Sequence, residues 1–246
     1  MAGKEKKIIK DLLITDMSSE GKGIARIDGK VIFTTQALPG DVVDVEVRKS
    51  KKSFAEGVIA EIKTASDLRI KPECSHFGVC GGCKWQHISY AEQLKFKKKI
   101  VEDAFERIGK VDFPPIPDVI GCEQNFYYRN KLEFAFTDRR WLTEEEISSG
   151  KNFEHRNALG FHVPGSFSGV IDVDRCYLQA DPSNEIRIAV KEFALKNSYT
   201  FFNLKDQNGL LRNLMIRISA IGEILLLVSF YENDEEKIQT LLRHLD

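Results

Sequence analysis

Four cysteines constrain the fold of this chain more than any other feature. Cys74, Cys80 and Cys83 lie within ten residues, and Cys176 lies far downstream. Thiolates are soft ligands, and four of them suit an iron–sulfur cluster or a structural zinc ion. Glycine supplies the backbone freedom of a tight loop, and two glycines separate Cys80 from Cys83. A shared metal centre would therefore tie two remote parts of the chain together.

The grouping of three close cysteines and one distant cysteine favours an iron–sulfur cluster. Structural zinc sites usually draw two close pairs of ligands. Zinc remains the alternative, with His76 or His87 as a further ligand, although a histidine in such a loop is more often a hydrogen-bonding neighbour. The fifth cysteine, Cys122, is expected to be a buried small hydrophobic residue.

The bulk composition is that of an ordinary globular protein in the cytoplasm. The 246 residues are 42% hydrophobic and 30% charged, with a net charge of −1. No apolar run approaches membrane-spanning length, and the start of the chain lacks the apolar core of a signal peptide. We expect no membrane contact, a monomer, and cysteines used as thiolates and not as disulfides.

Positive charge concentrates in the first part of the chain. Up to Lys110 there are 21 Lys and Arg residues against 16 Asp and Glu. Basic runs occur at 48–52, which includes Lys51 and Lys52, and at 97–99. Such runs are usually solvated surface, and the sharper interpretation is contact with a nucleic-acid backbone.

Two domains follow from the hydrophobic pattern. Residues 1–66 carry short β-branched stretches separated by turn signals such as Asp28-Gly29, which predicts about five strands in an OB-like barrel. Residues 67–246 predict an α+β domain on an antiparallel sheet, with a helix after Ser89 and another after Thr143.

Basic and aromatic residues of the second domain are candidates for RNA contact. Arg129 and Lys131 would hold phosphates, while Phe161 or His162 would stack on an unstacked base. On spacing alone, ordinary sheet packing is the stronger interpretation of these residues.

Together the segments resemble the RNA uracil-C5 methyltransferase family, particularly its iron–sulfur members that act on 23S ribosomal RNA. The resemblance rests on Cys74-x5-Cys80-Gly-Gly-Cys83, Tyr128-Arg129-Asn130-Lys131, Gly160-Phe161-His162 and Asp174-Arg175-Cys176, in that order. It implies that residues 8–65 form a TRAM module, an RNA-binding OB-like domain. It also implies a [4Fe–4S] cluster on Cys74, Cys80, Cys83 and Cys176, with 23S ribosomal RNA as the partner.

The resemblance further implies methyl transfer from S-adenosylmethionine to a flipped-out uracil, by a cysteine nucleophile that adds to the base. The sequence has no strand followed by a Gly-rich turn and helix, and no late cysteine up to Asp246. The expectation is therefore an N-terminal portion of a longer methyltransferase, without the C-terminal Rossmann-like methyltransferase domain and inactive alone. The competing hypothesis is a non-catalytic RNA-binding adaptor with an iron–sulfur or zinc clip.

Overall fold

The chain folds into two compact units. The computed structural model describes residues 7–153 and 156–245. The first unit joins the chain up to Ser75 with Lys84–Glu123, and the second joins His76–Cys83 with the chain from Gln124 onward. Residues 84–123, which the sequence-based division assigns to the second domain, thus cluster with the first sheet. Residues 1–6, which belong to the segment where we expect no signal peptide, lie outside the described residues.

The first unit is built on a six-stranded sheet. Its strand order is β1-β5-β6-β4-β3-β2, and β4 and β6 run parallel while the other neighbours are antiparallel. The strands are β1 (Ile8–Leu13), β2 (Asp16–Met17), β3 (Lys22–Ile27), β4 (Lys30–Thr35), β5 (Val42–Ser50) and β6 (Phe54–Thr64). The sequence predicts about five strands because a two-residue strand such as β2 is too short to show a period.

Turn chemistry fixes the hairpin between β3 and β4. Asp28 and Gly29 both have positive φ, of 48° and 74°. A type I′ turn requires positive φ at both central residues, and its twist matches that of the strands it joins. The hairpin predicted at Asp28-Gly29 is confirmed, with Ile27 paired to Lys30.

A buried ion pair fixes the segment after β6 to the sheet. The carboxylate of Asp41 is fully buried and accepts hydrogen bonds from Arg69 Nε at 2.8 Å and from the backbone N–H groups of Leu38 and Ser66. Burial alone would raise the pKa of Asp41, but the Arg69 guanidinium and the two N–H groups outweigh it and lower the pKa. Removing Arg69 would leave the Asp41 carboxylate as an uncompensated buried charge.

The helix α1 (Tyr90–Asp103) begins as the sequence predicts. Ser89 Oγ accepts from the N–H of Glu92 at 3.4 Å. The spacing of Ser89 and Glu92 also predicts a capping box, but the Glu92 carboxylate instead pairs with Lys95 at 2.5 Å. The helix then widens into a π-helical turn, Ala104–Gly109, which ends at Lys110 in the left-handed conformation.

The second unit is a five-stranded antiparallel sheet covered on one face by helices. The order is β11-β10-β7-β8-β9. Phe134, Leu214 and Ile216 form the core with Val190 and Leu241 from two of the helices. The elements are β7 (Lys131–Thr137), α2 (Glu144–Ser148), β8 (Ala158–His162), β9 (Val170–Asp172), α3 (Ser183–Lys196), β10 (Leu211–Ile218), β11 (Ile224–Phe230) and α4 (Glu235–Leu245).

The predicted helix start at Thr143 is confirmed by a complete capping box. Thr143 Oγ1 accepts from the N–H of Glu146, and the Glu146 carboxylate accepts from the N–H of Thr143. Within residues 7–153 and 156–245, none of the helices has both the length and the apolar character that crossing a membrane requires.

Candidate metal and nucleic-acid site

The loop His76–Cys83 is hydrogen-bonded to the end of β8. The N–H groups of Val79 and Cys80 donate to His76 O, and Gly81 N donates to His162 O at 3.0 Å. A Cβ atom at Gly81 would lie 2.6 Å from His162 O, which is closer than real contacts allow. Glycine at this position therefore lets the cysteine loop lie directly against the sheet.

Cys176 is held by the first turn of α3. Its N–H donates to Asn184 Oδ1 at 2.8 Å, and Asn184 Nδ2 donates to Cys176 O at 3.1 Å. Two residues earlier, Asp174 N donates to His76 Nε2 at 2.9 Å. His76 is thus a hydrogen-bonding neighbour that joins the cysteine loop to the Cys176 segment.

Three of the four predicted metal ligands lie in one unit. The half-buried Cys80 and Cys83 pack against the hydrophobic core that contains the buried Cys176. Cys74 belongs to the first unit, where its N–H donates to Gln86 Oε1 at 3.1 Å. Cys122 is exposed, so the prediction that it is buried is wrong; it follows the proline-rich connector, outside either sheet.

The donor chemistry fits a cluster, whereas the arrangement of the side chains does not yet form a metal site. Among the described residues, no group of three or more His, Cys, Asp or Glu side chains could hold a metal ion as placed. The cluster ligands predicted from the sequence therefore stay a prediction.

A buried cation that the sequence did not reveal lies near Cys176. Arg187 of α3 is only 1% exposed, it stacks over the Phe134 ring, and its Nη2 donates to Asp174 O at 2.8 Å. Its Nε has no hydrogen-bond partner within the described residues. Burial lowers the pKa of Arg187, and the nearby Asp172, Cys176 and Asp174 act in the opposite direction. A buried guanidinium in this position favours negative charge around Cys176.

Lys51 and Lys52 project from the turn between β5 and β6. Both are exposed, and the turn is closed by the bond from Lys51 N to Phe54 O. None of the ion pairs within the described part of the chain involves either lysine. In the neighbouring positions Arg48 pairs with Glu46 and Lys49 with Glu56. Among the described residues, Lys51 and Lys52 are therefore the exposed members of this run without a carboxylate ion pair.

The second basic run is largely neutralised. Lys98 pairs with Asp118 at 2.9 Å, and Lys99 pairs with both Asp16 and Asp103. These contacts stabilise α1 and the sheet beside it, which supports the interpretation of this run as structural surface.

Arg129 and Lys131 lie beside the Cys176 segment. Both side chains are exposed, and Arg129 N donates to Leu178 O at 2.8 Å. Lys131 is paired across the sheet with Arg217 of β10. Like charges directly opposite each other repel. Among the residues described, no carboxylate forms an ion pair with Lys131 or with Arg217. A bound anion would relieve this repulsion.

Phe161 and His162 point to different environments. Phe161 is half-buried and packs on Phe134, with ring centroids 4.8 Å apart. His162, the next residue of β8, is exposed. Alternation along a strand explains the difference. Of the two, His162 is the one that solvent and a ligand can reach.

The first unit contains a recognised domain family. Residues 8–60 match the family model of the TRAM domain. This match covers most of the six-stranded sheet, and it agrees with the module expected at residues 8–65.

The whole chain is similar to RNA methyltransferases. It is 45% identical over 212 residues to an uncharacterized RNA methyltransferase of Bacteroides thetaiotaomicron, covering 86% of this chain and 47% of that protein. A second, of Porphyromonas gingivalis, is 45% identical over 234 residues, which are 93% of this chain and 50% of that protein. These matches support the RNA methyltransferase family that the motifs resemble. The chain spans about half the length of the curated relatives it matches.

A solved methyltransferase has a similar fold. The crystal structure of Pyrococcus abyssi tRNA (uracil-54, C5)-methyltransferase in complex with S-adenosyl-L-homocysteine aligns with a TM-score of 0.61. The alignment covers 94% of this chain and 48% of the solved chain, at 22% sequence identity. At this identity the likeness concerns the fold.

These matches correct the fold class expected from the sequence. That class described the chain as a barrel and a central domain with the methyltransferase domain absent, and it is wrong as stated. A methyltransferase structure aligns with 94% of the chain, and the two relatives match 86% and 93% of it. The lack of a Gly-rich turn does not define a fold class, because one motif is only a small part of a fold.

Proposed function

We propose that the protein serves S-adenosylmethionine-dependent methylation of uracil C5 in RNA, and that this chain binds the RNA. The observation that carries the proposal is a TRAM domain within a chain that is 45% identical to RNA methyltransferases over most of its length. The solved neighbour, named a uracil C5 methyltransferase and bound to S-adenosyl-L-homocysteine, supports the reaction and the methyl donor. We propose 23S ribosomal RNA as the substrate, a monomer as the working form and the cytoplasm as the location.

Methyl transfer tests this function directly. Protein purified from its natural source should move a labelled methyl group from S-adenosylmethionine to unmodified 23S ribosomal RNA, and digestion of the RNA should yield 5-methyluridine. Methylation of transfer RNA alone would replace the substrate, while label on another atom or no label would refute the reaction. RNA binding without methyl transfer would favour the non-catalytic adaptor.

We propose further that Cys74, Cys80, Cys83 and Cys176 bind a [4Fe–4S] cluster. Four cysteine sulfur atoms provide the soft donors that such a cluster needs. The buried Arg187 supports the proposal, since a cluster with four thiolates is an anion and this guanidinium lies near Cys176. When bound, the cluster would supply a covalent cross-link between the cysteine loop and the segment before α3.

Replacing Cys176 should release iron. Anaerobically purified wild-type protein should contain about four iron and four sulfide ions per chain. Cys176→Ser should retain less than about half of that iron, because a ligand is lost from the buried side of the site. Cys122→Ser is the matched control, since Cys122 is exposed and lies outside the ligand set. Stoichiometric zinc without sulfide, or equal iron in both variants, would contradict the assignment.

Removing Lys51 and Lys52 should weaken RNA binding and flatten its salt dependence. Each lost phosphate contact reduces the slope of log K against log salt by about 0.7 to 0.9, so the double alanine variant should lose about 1 to 2. The control is Lys95→Ala with Lys98→Ala, which removes the same charge from lysines already paired with Glu92 and Asp118. Equal slopes for the two double variants would exclude the β5–β6 turn from the interface.

A further inference from the structure

A cavity in the second unit lies where four strands of the sheet meet two loops. Its volume is about 270 Å³. Ligand pockets for drug-sized molecules begin at about 300 Å³, so this one has room for a single small planar group. The residues that give it chemical character are Thr137 of β7, His162 of β8, Phe167 of the β8–β9 loop, Phe202, and Arg212 and Asn213 of β10.

The aromatic residues of the cavity differ in exposure. Phe202 is buried, with 5% of its surface exposed, and it provides a fixed apolar wall. Phe167 is 83% exposed, although it lines the same cavity. An exposed phenyl ring at the mouth of a cavity loses contact with water when a flat ligand stacks on it.

Arg212 is held at the cavity by the strand and by aromatic rings. The register of β10 against β11 shifts between Leu211 and Asn213, and such a bulge re-aims a side chain. The Arg212 guanidinium lies 5.2 Å from the Phe202 ring centre and 5.9 Å from that of Tyr231. No ion pair in the described ranges involves Arg212. Its planar cation is therefore positioned and available to a ligand.

The remaining polar groups can bind the edge of a planar ligand. Thr137 Oγ1 accepts from Arg139 N at 3.1 Å, which leaves the hydroxyl hydrogen able to donate. Asn213 offers both an amide donor and an acceptor, and His162 offers a ring nitrogen of either kind. A flat ligand with hydrogen-bonding edges and two stackable faces satisfies all of these groups.

We propose that this cavity binds one unstacked nucleobase of the RNA, stacked on Phe167 and contacted by Arg212 and Asn213. The proposal rests on the proposed function, because it assumes that the chain binds RNA. It adds a base-binding site that is separate from the phosphate contacts of Lys51 and Lys52. Recognition of RNA by unstacked bases on aromatic side chains and Arg planes is the usual way in which proteins read single strands.

The test compares RNA with a base-free polymer. The probes are a fluorescein-labelled single-stranded RNA 12-mer of mixed sequence and a ribose-phosphate 12-mer that lacks all bases. Phe167→Ala should weaken binding of the RNA by about 10-fold, within the range measured for single base–aromatic stacks. It should weaken binding of the base-free polymer less than about twofold, because phosphate contacts are unchanged. Asn213→Ala should act in the same direction.

The control variant is Ile221→Ala. Ile221 is 82% exposed in the β10–β11 turn and does not line the cavity. The Ile221→Ala variant should bind both probes with the affinity of the wild type. If Phe167→Ala loses equal affinity for RNA and for the base-free polymer, or loses affinity for neither, the proposal that this cavity binds a base is overturned. The proposal that the chain binds RNA would still stand. Failure of the wild type to bind the RNA 12-mer would overturn the proposed function and the cavity together.

Discussion

Gly160→Ala should destabilise the second unit by more than about 3 kcal/mol, which is at the upper end of overpacking effects. Gly160 lies in β8 and is paired with Asp172 of β9. A Cβ atom there would overlap the backbone carbonyl oxygen of Ile171 and would lie 3.0 Å from Val173 Cγ2. Because the obstacle is backbone, β9 would have to move away from β8. We expect a lower midpoint of urea unfolding and partial loss of protein during expression.

The matched control for this substitution is Gly165→Ala. Gly165 has a φ of 75°, and a Cβ atom there would meet nothing within 4 Å. Its cost is only the strain of the left-handed conformation, about 1 kcal/mol. If the two variants unfold at the same urea concentration, the close approach of β9 to Gly160 does not contribute to the stability of the sheet.

Protonation of His87 should make the first unit less stable as the pH falls from about 6.5 to 4. Its side chain is 3% exposed, and burial, followed by the nearby Arg69, lowers its pKa from 6.5 to about 4. The unfolded chain therefore binds a proton at a higher pH than the folded chain. The stabilising contribution is complete above pH 6.5 and is lost as the pH falls toward 4, and it amounts to about 3 kcal/mol at 1.36 kcal/mol per pKa unit.

The titration of His87 can be followed by its ring resonances in NMR spectra. We expect them to keep the shifts of neutral imidazole until about pH 4. In urea unfolding, His87→Leu should remove part of the loss of stability between pH 6.5 and 4. A midpoint near 6.5 for His87 would show that the folded protein accepts the charge there.

Local signals in the sequence predicted local structure well. Asp28-Gly29 specified a turn because few residues other than Gly, Asn and Asp tolerate positive φ. Thr143 and Glu146 specified a helix start because their side chains satisfy the first N–H groups. Alternation along residues 131–136 also predicts a strand, and Gly222 between two apolar stretches predicts a hairpin; the structure has both, as β7 and as the β10–β11 pair.

Features that depend on distant contacts could not be predicted. The parallel pairing of β4 with β6 and the clustering of residues 84–123 with the first unit join segments far apart in sequence. Arg187 lies in an amphipathic helix, where an arginine is normally expected at the surface. Only the packed structure shows that it is buried on Phe134 and near Cys176.

RNA binding by the purified 246-residue protein, measured over a range of salt concentrations, tests the central claim most directly. Fluorescence anisotropy with a labelled RNA hairpin should show binding at about 50 mM salt that weakens steadily toward about 200 mM, because lysine and arginine contacts displace counterions from phosphates. Absence of binding at the lowest salt concentration, or binding whose strength does not change with salt, would contradict the claim that this chain recognises RNA.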